Sequence, residues 1–220
     1  MSQNTRLEDT DLAALLCSRV CHDVISPVGA IANGLEVLED EDDEEMRQIA
    51  FDLITQSAKA ASAKLQFCRM AFGAAGSMGS LIDMGEAGDV TAMFIGNEKI
   101  SLIWNAPRLQ RPKSEVKLLL NLVLMAMSSI PRGGDVIVDA NENSLSVRAV
   151  GDRAKIPEKA LAVMKGEFEA NALDARLVQV YYAMRLADEA NYQITVGMND
   201  DDVVFTAASQ AVQAQLQDIA

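Results

Sequence analysis

The amino-acid sequence predicts an α+β protein: an antiparallel helical hairpin that pairs with a second copy into a dimeric four-helix bundle, then an α/β sandwich. Three observations predict it. Apolar residues recur at three- and four-residue steps through two long N-terminal segments, a glycine-rich stretch interrupts that pattern, and short β-rich runs alternating with helical ones follow. The chain thus divides into a hairpin unit, residues 1–75, and a sheet unit, residues 85–220.

Residues 10–38 read as the first helix, with Leu12, Leu16, Val20, Val24, Val28, Ile31, Leu35 and Leu38 as its apolar stripe and Asp9, Thr10 or Asp11 able to cap its start. The acidic run Glu39–Glu45 is a solvated turn whose last members suit the start of the next helix, where the dipole favours negative charge. Residues 44–73 read as that second helix, its face built from Met46, Ile49, Leu53, Ala60, Phe67 and Ala71. A short turn makes the two helices antiparallel. A lone hairpin buries two apolar faces poorly, so a homodimer is expected.

Residues 73–88, GAAGSMGSLIDMGEAG, read as a linker. Strands are expected at 99–104, 135–140, 144–150, 192–198 and 202–208, the last four forming two antiparallel hairpins across short Asn/Asp/Glu turns. Helices near 113–130, 157–165 and 171–190 complete a sheet with helices on one face.

Composition narrows the function classes. Half of the 220 residues are hydrophobic and 23% are charged, a globular balance. A net charge of -13 and the lack of a Lys/Arg cluster make nucleic acid an improbable partner. No uninterrupted apolar run reaches bilayer-spanning length, and the N-terminus lacks a secretory pattern, so no membrane association is expected and a cytoplasmic location is. Three cysteines, Cys17, Cys21 and Cys68, fit a reducing compartment. Cys17 and Cys21 stand one helical turn apart, but they read as small hydrophobes rather than metal ligands.

The chain has one histidine. His22 is two residues from both Val20 and Val24, so at about 100° per residue it lies roughly opposite the apolar stripe and faces water or a partner. Ser18, Ser26, Gly29 and Asn33 share that side and are small, which leaves the ring accessible. A neutral imidazole is a nucleophile near physiological pH and forms labile phosphorus–nitrogen bonds. Arg19, one turn earlier, is placed to screen phosphoryl charge. Asp23 is adjacent but points about 100° away, so contact with the ring requires a particular rotamer. Pro27 removes a donor from the helix interior and leaves the Asp23 carbonyl without its usual partner.

These residues, HDVISPVGAI at 22–31, resemble the phosphoacceptor box of histidine kinases: His22, Asp23, Ser26 and Pro27 match in order, while Ile25 stands where that family usually has arginine. The resemblance implies that His22 is phosphorylated, that Asp23 tunes the imidazole, and that Ser26 belongs to the catalytic set. It places Ser18, Arg19, Pro27, Gly29 and Asn33 in the neighbourhood that a partner contacts.

The second half resembles a histidine kinase ATPase domain with its site lost. LLLNLVLMAMSSIPRGG, 118–134, is similar to the asparagine box, but Met125 stands where the magnesium-holding asparagine would be, and a thioether is a poor ligand for a hard cation. In VRAVGDRAKIP, 147–157, Ala149 replaces the adenine-reading aspartate, and only Gly151 and the Ile156–Pro157 ending are kept. In ALDARLVQVYYAMRLA, 172–187, Asp174 and Arg176 occupy positions of the glycines that let backbone amides reach phosphate.

An intact phosphoacceptor box joined to a ruined nucleotide site resembles the ChpT-type histidine phosphotransferases of alphaproteobacteria, over residues 10–208. That resemblance implies a phosphocarrier that neither binds ATP nor autophosphorylates. Phosphate would come from the receiver domain of a hybrid histidine kinase (CckA-like) and pass to cell-cycle response regulators (CtrA-like and similar). No cofactor would be bound by this chain, and Mg2+ would be supplied by the receiver. The alternatives are a non-catalytic pseudokinase scaffold for receivers, which has no need of the whole box, and an active kinase, opposed by Met125, Ala149 and the missing glycines.

Overall fold

The computed structural model describes residues 6–40, 42–73, 81–96 and 99–209. Helix α1 spans Asp9–Asp40 and α2 spans Glu44–Ala71, packed side by side as a hairpin. Asp43 caps α2: its carboxylate accepts from the amides of Glu45 and Met46, so the end of the acidic run does act as a helix start. α1 runs through Pro27 without a break.

The single apolar stripe expected for α1 divides in two. Pro27 and Gly34 are buried, and Leu12, Leu16, Val20 and Leu38 are half-buried. Gly34 is small because Ile54 of α2 lies 2.6 Å from where a Cβ would sit. Residues 17, 21, 24, 28, 31 and 35 form a second line at alternating four- and three-residue steps, on which Cys17, Cys21, Val28 and Leu35 are exposed. On α2, Met46, Ile49 and Leu53 are exposed as well. By length and composition alone α1 could cross a bilayer, a property that a search for uninterrupted apolar runs overlooks.

The second unit is a sheet with helices on one face. Its strands are β2 (Ile100–Trp104), β4 (Gly134–Ala140), β5 (Ser144–Val150), β6 (Tyr192–Asn199) and β7 (Asp202–Ser209), in the order β2-β4-β5-β7-β6. β2 and β4 pair in parallel, and the other pairs are antiparallel. Val136 and Val138, Leu145 and Val147, and Val203 and Phe205 alternate inward beneath α4 (Lys113–Ser129) and α6 (Val178–Glu189). α4 is the core helix, with Leu118, Leu119, Leu120, Leu122 and Val123 fully buried. A shorter helix, α5 (Glu158–Met164), packs on α6. Asn141 shapes the β4–β5 turn by accepting from the amides of Asn143 and Ser144, and Asn191, at φ +56°, ends α6 in the left-handed conformation.

Three expectations need correction. The stretch read as a linker contains the short strand β1 (Leu81–Asp83) and the start of helix α3 (Met84–Ile95), while 74–80 falls outside the described residues. β1 pairs with another unexpected strand, β3 (Gln110–Pro112). Asp83 caps α3 through the Glu86 amide, and Gly88 lets the Trp104 ring lie against the helix, 2.9 Å from where a Cβ would be. The helix expected from 171 begins only at Val178, because the chain first makes a 3₁₀ turn at Ala170–Ala172 and then a turn closed by Asp174.

Candidate functional site: the outward histidine and the cleft

His22 sits near the middle of α1 and its side chain is 61% exposed. Its direction follows from the helix period. The buried line of α1 faces α2 and the second apolar line runs beside it, about a quarter-turn round the helix, so a residue out of phase with both points outward. Its Nδ1 is 3.4 Å from Oδ1 of Asp23, so the neighbouring acid does reach the ring. The other oxygen of Asp23 accepts from Nε of Arg19 at 2.8 Å, and Arg19 and Asp23 are each only 17% exposed. The guanidinium is thus held by Asp23, one turn on, rather than standing free on the surface. It fixes the carboxylate that in turn touches the ring. With Nδ1 turned to Asp23, Nε2 is the nitrogen that faces solvent.

The structure brings most of the expected residues to one surface. Ser18, Ser26, Gly29 and Asn33 are exposed along the His22 side of α1. Nothing lies within 4 Å of where a Gly29 Cβ would stand, so packing does not require a glycine there. Its smallness keeps the surface beside the histidine low. Pro27 departs from the set: it is buried, offers no surface to a partner, and acts only through the helix.

Cys68 of α2 lies behind this surface. Burial above all, together with the charge of Asp23, pushes its thiol up to about 11, against the opposing influence of Arg19 and Lys64. Cys17 and Cys21 are exposed. Among the described residues no group of three or more His, Cys, Asp or Glu side chains is disposed to hold a metal.

A cleft of about 730 Å³ opens in the second unit between α4, α5 and the start of α6. Met125 and Phe205 lie in its apolar lining, and Lys155, Lys159, Arg176, Glu158 and Asp174 supply its charges. Asp174 accepts from the amides of Arg176 and Leu177 at 2.8 and 2.9 Å. Donation from Leu177 above all holds its carboxyl below the usual carboxylate range. These amides, which open α6, therefore already carry an anion. Ala149 is buried on β5 and brings no polar atom. Asn121, the asparagine that the motif keeps, points away from the cleft: its amide donates to the carbonyls of Lys117 and Ala71. Sequence reasoning gave Asn121 no task and did not single out Lys117, although a lysine one turn before that asparagine, inside an apolar helix, was the available signal.

Comparison with known proteins gives the family. A family model described as the histidine phosphotransferase C-terminal domain matches residues 84–202. The protein phosphotransferase ChpT of Brucella abortus (strain 2308) is 45% identical over 211 residues, covering 94% of this chain and all of that protein. The chain belongs to the ChpT-type histidine phosphotransferases. A solved bacterial phosphotransferase, determined at 1.7 Å, matches with a TM-score of 0.82 and 42% identity, covering 92% of this chain and 98% of its own. The histidine kinase AdeS of Acinetobacter baumannii aligns at 11% identity with a TM-score of 0.42, over 86% of this chain and 97% of that one. Within the family, the helical hairpin and the mixed sheet with its helices are the two parts of the fold, and phosphotransfer is the activity that the relative's name carries.

Proposed function

We propose that this protein is the phosphocarrier of a bacterial phosphorelay, with Nε2 of His22 as the acceptor atom. The observation that carries the reading is the geometry at His22: an exposed imidazole whose Nδ1 meets a carboxylate fixed by an arginine. In the transfer, Nε2 attacks the phosphorus of a receiver's aspartyl phosphate. The phosphorus–nitrogen bond forms, the bond to the aspartyl oxygen breaks, and the receiver regains its carboxylate. The ring keeps its Nδ1 proton, and the positive charge it gains faces Asp23. Ser26, one turn on, lies beside the incoming group. The reverse sequence delivers the phosphoryl group to a second receiver. The donor is the receiver domain of a hybrid histidine kinase, the recipients are cell-cycle response regulators, and Mg2+ sits in the receiver's acidic pocket. The protein works in the cytoplasm without nucleic acid or membrane.

Two copies act together. The exposed line on α1 and Met46, Ile49 and Leu53 on α2 are the apolar surface that a second hairpin covers, completing a four-helix bundle that leaves both His22 rings outward. The cleft of the second unit does not take ATP in this reading. Met125 offers no hard ligand, Ala149 cannot read adenine, and Asp174 repels phosphate where it already uses the amides.

The deciding experiment mixes the purified protein with a phosphorylated receiver domain and follows label onto it, with His22→Ala as control. Acid-labile, alkali-stable label on the parent and none on the variant is the expected result. No transfer, or transfer that the substitution leaves intact, rejects the proposal. Calorimetry with Mg-ATP is expected to show no binding heat, and micromolar affinity would return the kinase reading.

A further inference from the structure

The last turn of α2 leaves backbone carbonyls that the helix itself cannot satisfy. Two residues of α4 take them. Nζ of Lys117 is 3.4 Å from the Phe72 carbonyl, and the amide of Asn121 donates to the Ala71 carbonyl at 3.3 Å. Lys117 is almost fully buried, and no carboxylate pairs with it among the described contacts. Its ammonium instead donates to the Tyr182 hydroxyl of α6 at 3.2 Å, lies 5.9 Å from that ring's centre, and meets the negative end of the α2 dipole. At the same position the backbone carbonyl of Asn121 accepts from the Gln179 side chain of α6.

The attachment has further points. Phe67 of α2 stacks on Phe94 of α3 with ring centres 4.1 Å apart, and Phe72 tilts against Tyr182. On the other arm of the hairpin, the Leu7 amide donates to the Tyr181 hydroxyl at 3.2 Å, and α1 touches α6 where Leu12, Tyr182 and Leu186 line a shared pocket. Both chain segments at this end of the hairpin are therefore tied to α6, and one of them to α4 also. Burying an ammonium without a counter-ion costs several kcal/mol unless its surroundings replace the lost hydration. A domain free to swing would expose Lys117 on every excursion and give the carbonyls to water.

From this arrangement we infer that Lys117, seconded by Asn121, is a positioning residue that locks the second unit to the hairpin in one orientation. The inference rests on the phosphocarrier reading for its consequence. Leu12 is ten residues, about 15 Å, from His22 along α1. A receiver of ordinary size, roughly 30 Å across, that docks on His22 reaches as far as the face of α6. A locked α6 presents one preset surface instead of an ensemble, which lowers the ordering cost of each encounter.

The test uses the full-length dimer. Spin labels at Thr55 of α2 and Asn143 of the β4–β5 turn, both exposed, go into a Cys17→Ser/Cys21→Ser background and are diluted with unlabelled protein. A single narrow distance distribution is expected, and Lys117→Met, close in length and uncharged, broadens it. Tyr182→Phe, a milder change that keeps the ring, broadens it less, and Lys117→Arg preserves it. In phosphotransfer, Lys117→Met raises KM for the phosphorylated receiver about fivefold or more while kcat stays within about twofold. The rate at which phosphoramidate, a small chemical phosphodonor, modifies His22 is unchanged. A distribution as narrow in Lys117→Met and Tyr182→Phe as in the parent overturns the lock. A broadened distribution with an unaltered KM overturns its role in recognition. Failure of the parent to accept phosphate from any receiver counts against the phosphocarrier reading alone, since the distance measurement stands without it.

Discussion

Replacing Leu35 by glutamate tests the paired bundle. Val28 and Leu35 on α1 and Met46, Ile49 and Leu53 on α2 retain between 42% and 55% of their exposure. Full burial of such a side chain is worth roughly 1.5–3 kcal/mol, so covering the remaining half of each yields about 1 kcal/mol. Across both copies that amounts to roughly 10 kcal/mol gross, comparable to the ~4–15 kcal/mol that association costs. A dimer of this kind therefore has little to spare. Leu35→Glu removes two of those contributions and places two carboxylates in an apolar seam, a loss of about 4 kcal/mol or more, or about a thousandfold in Kd. Sedimentation velocity at micromolar concentration is expected to show a dimeric parent and a monomeric variant. The dimer should return in part as acid protonates the new carboxyl. Met198→Glu, equally exposed but on β6 and away from the hairpin, should remain dimeric. A monomeric parent, or a Leu35→Glu variant as dimeric as the parent, would refute the reasoning.

Asp23→Asn keeps a side chain of the same shape beside the ring but removes the charge that meets the imidazolium, so single-turnover transfer to His22 should slow about a hundredfold, and a change under threefold would show that Asp23 is a bystander. The Cys68 thiol is raised from its ordinary value near 9 to about 11, so its contribution to stability is fully present below pH 9 and lost as pH rises to 11, about 2–3 kcal/mol in all. Lys117 is shifted down by burial and opposes that slope, and the Tyr182 hydroxyl, raised to about 12 by burial, adds to its upper end. Urea melts of the parent and of Cys68→Ala isolate the cysteine's share, and parallel pH profiles would exclude it. Gly134 has φ +140° and a Cβ there would run into the Val150 carbonyl, so Gly134→Ala should cost about 3 kcal/mol in the same assay, and a loss below about 0.5 kcal/mol would contradict the geometry.

The sequence made the long helices and the strand hairpins legible because each signal is local. The 3.6-residue period of 9–40 and the alternation in 134–150 and 192–209 need no knowledge of neighbours. His22 was placed outward by that same period, and Met125, Ala149 and Asp174 stood out against the kinase motifs they resemble. What escaped was set by distant contacts. α3 carries Gly85 and Gly88, which read as breakers, yet Arg108 and Trp104 come so close that larger residues would collide with them. β1 and β3 are three residues each and exist only by pairing across α3 and β2. The double stripe on α1 was present in the sequence but merged into one, because its two lines are adjacent in phase. The Arg19–Asp23 pair was open to reading from its i,i+4 spacing, whereas the approach of Asp23 to the adjacent His22 ring depends on a rotamer that spacing does not contain.

The turn at Asp174 has a bearing on how such a chain can change over generations. Its carboxylate satisfies amides that an incoming phosphate would otherwise need. Glycine at 174 alone would leave those amides facing a cleft in which the neighbouring Met125 offers a thioether and no oxygen ligand. Opening an anion site at this point thus demands more than one replacement, and the first is costly to the start of α6. The carboxylate at 174 thus stands where an external anion would have to displace a group of the chain itself.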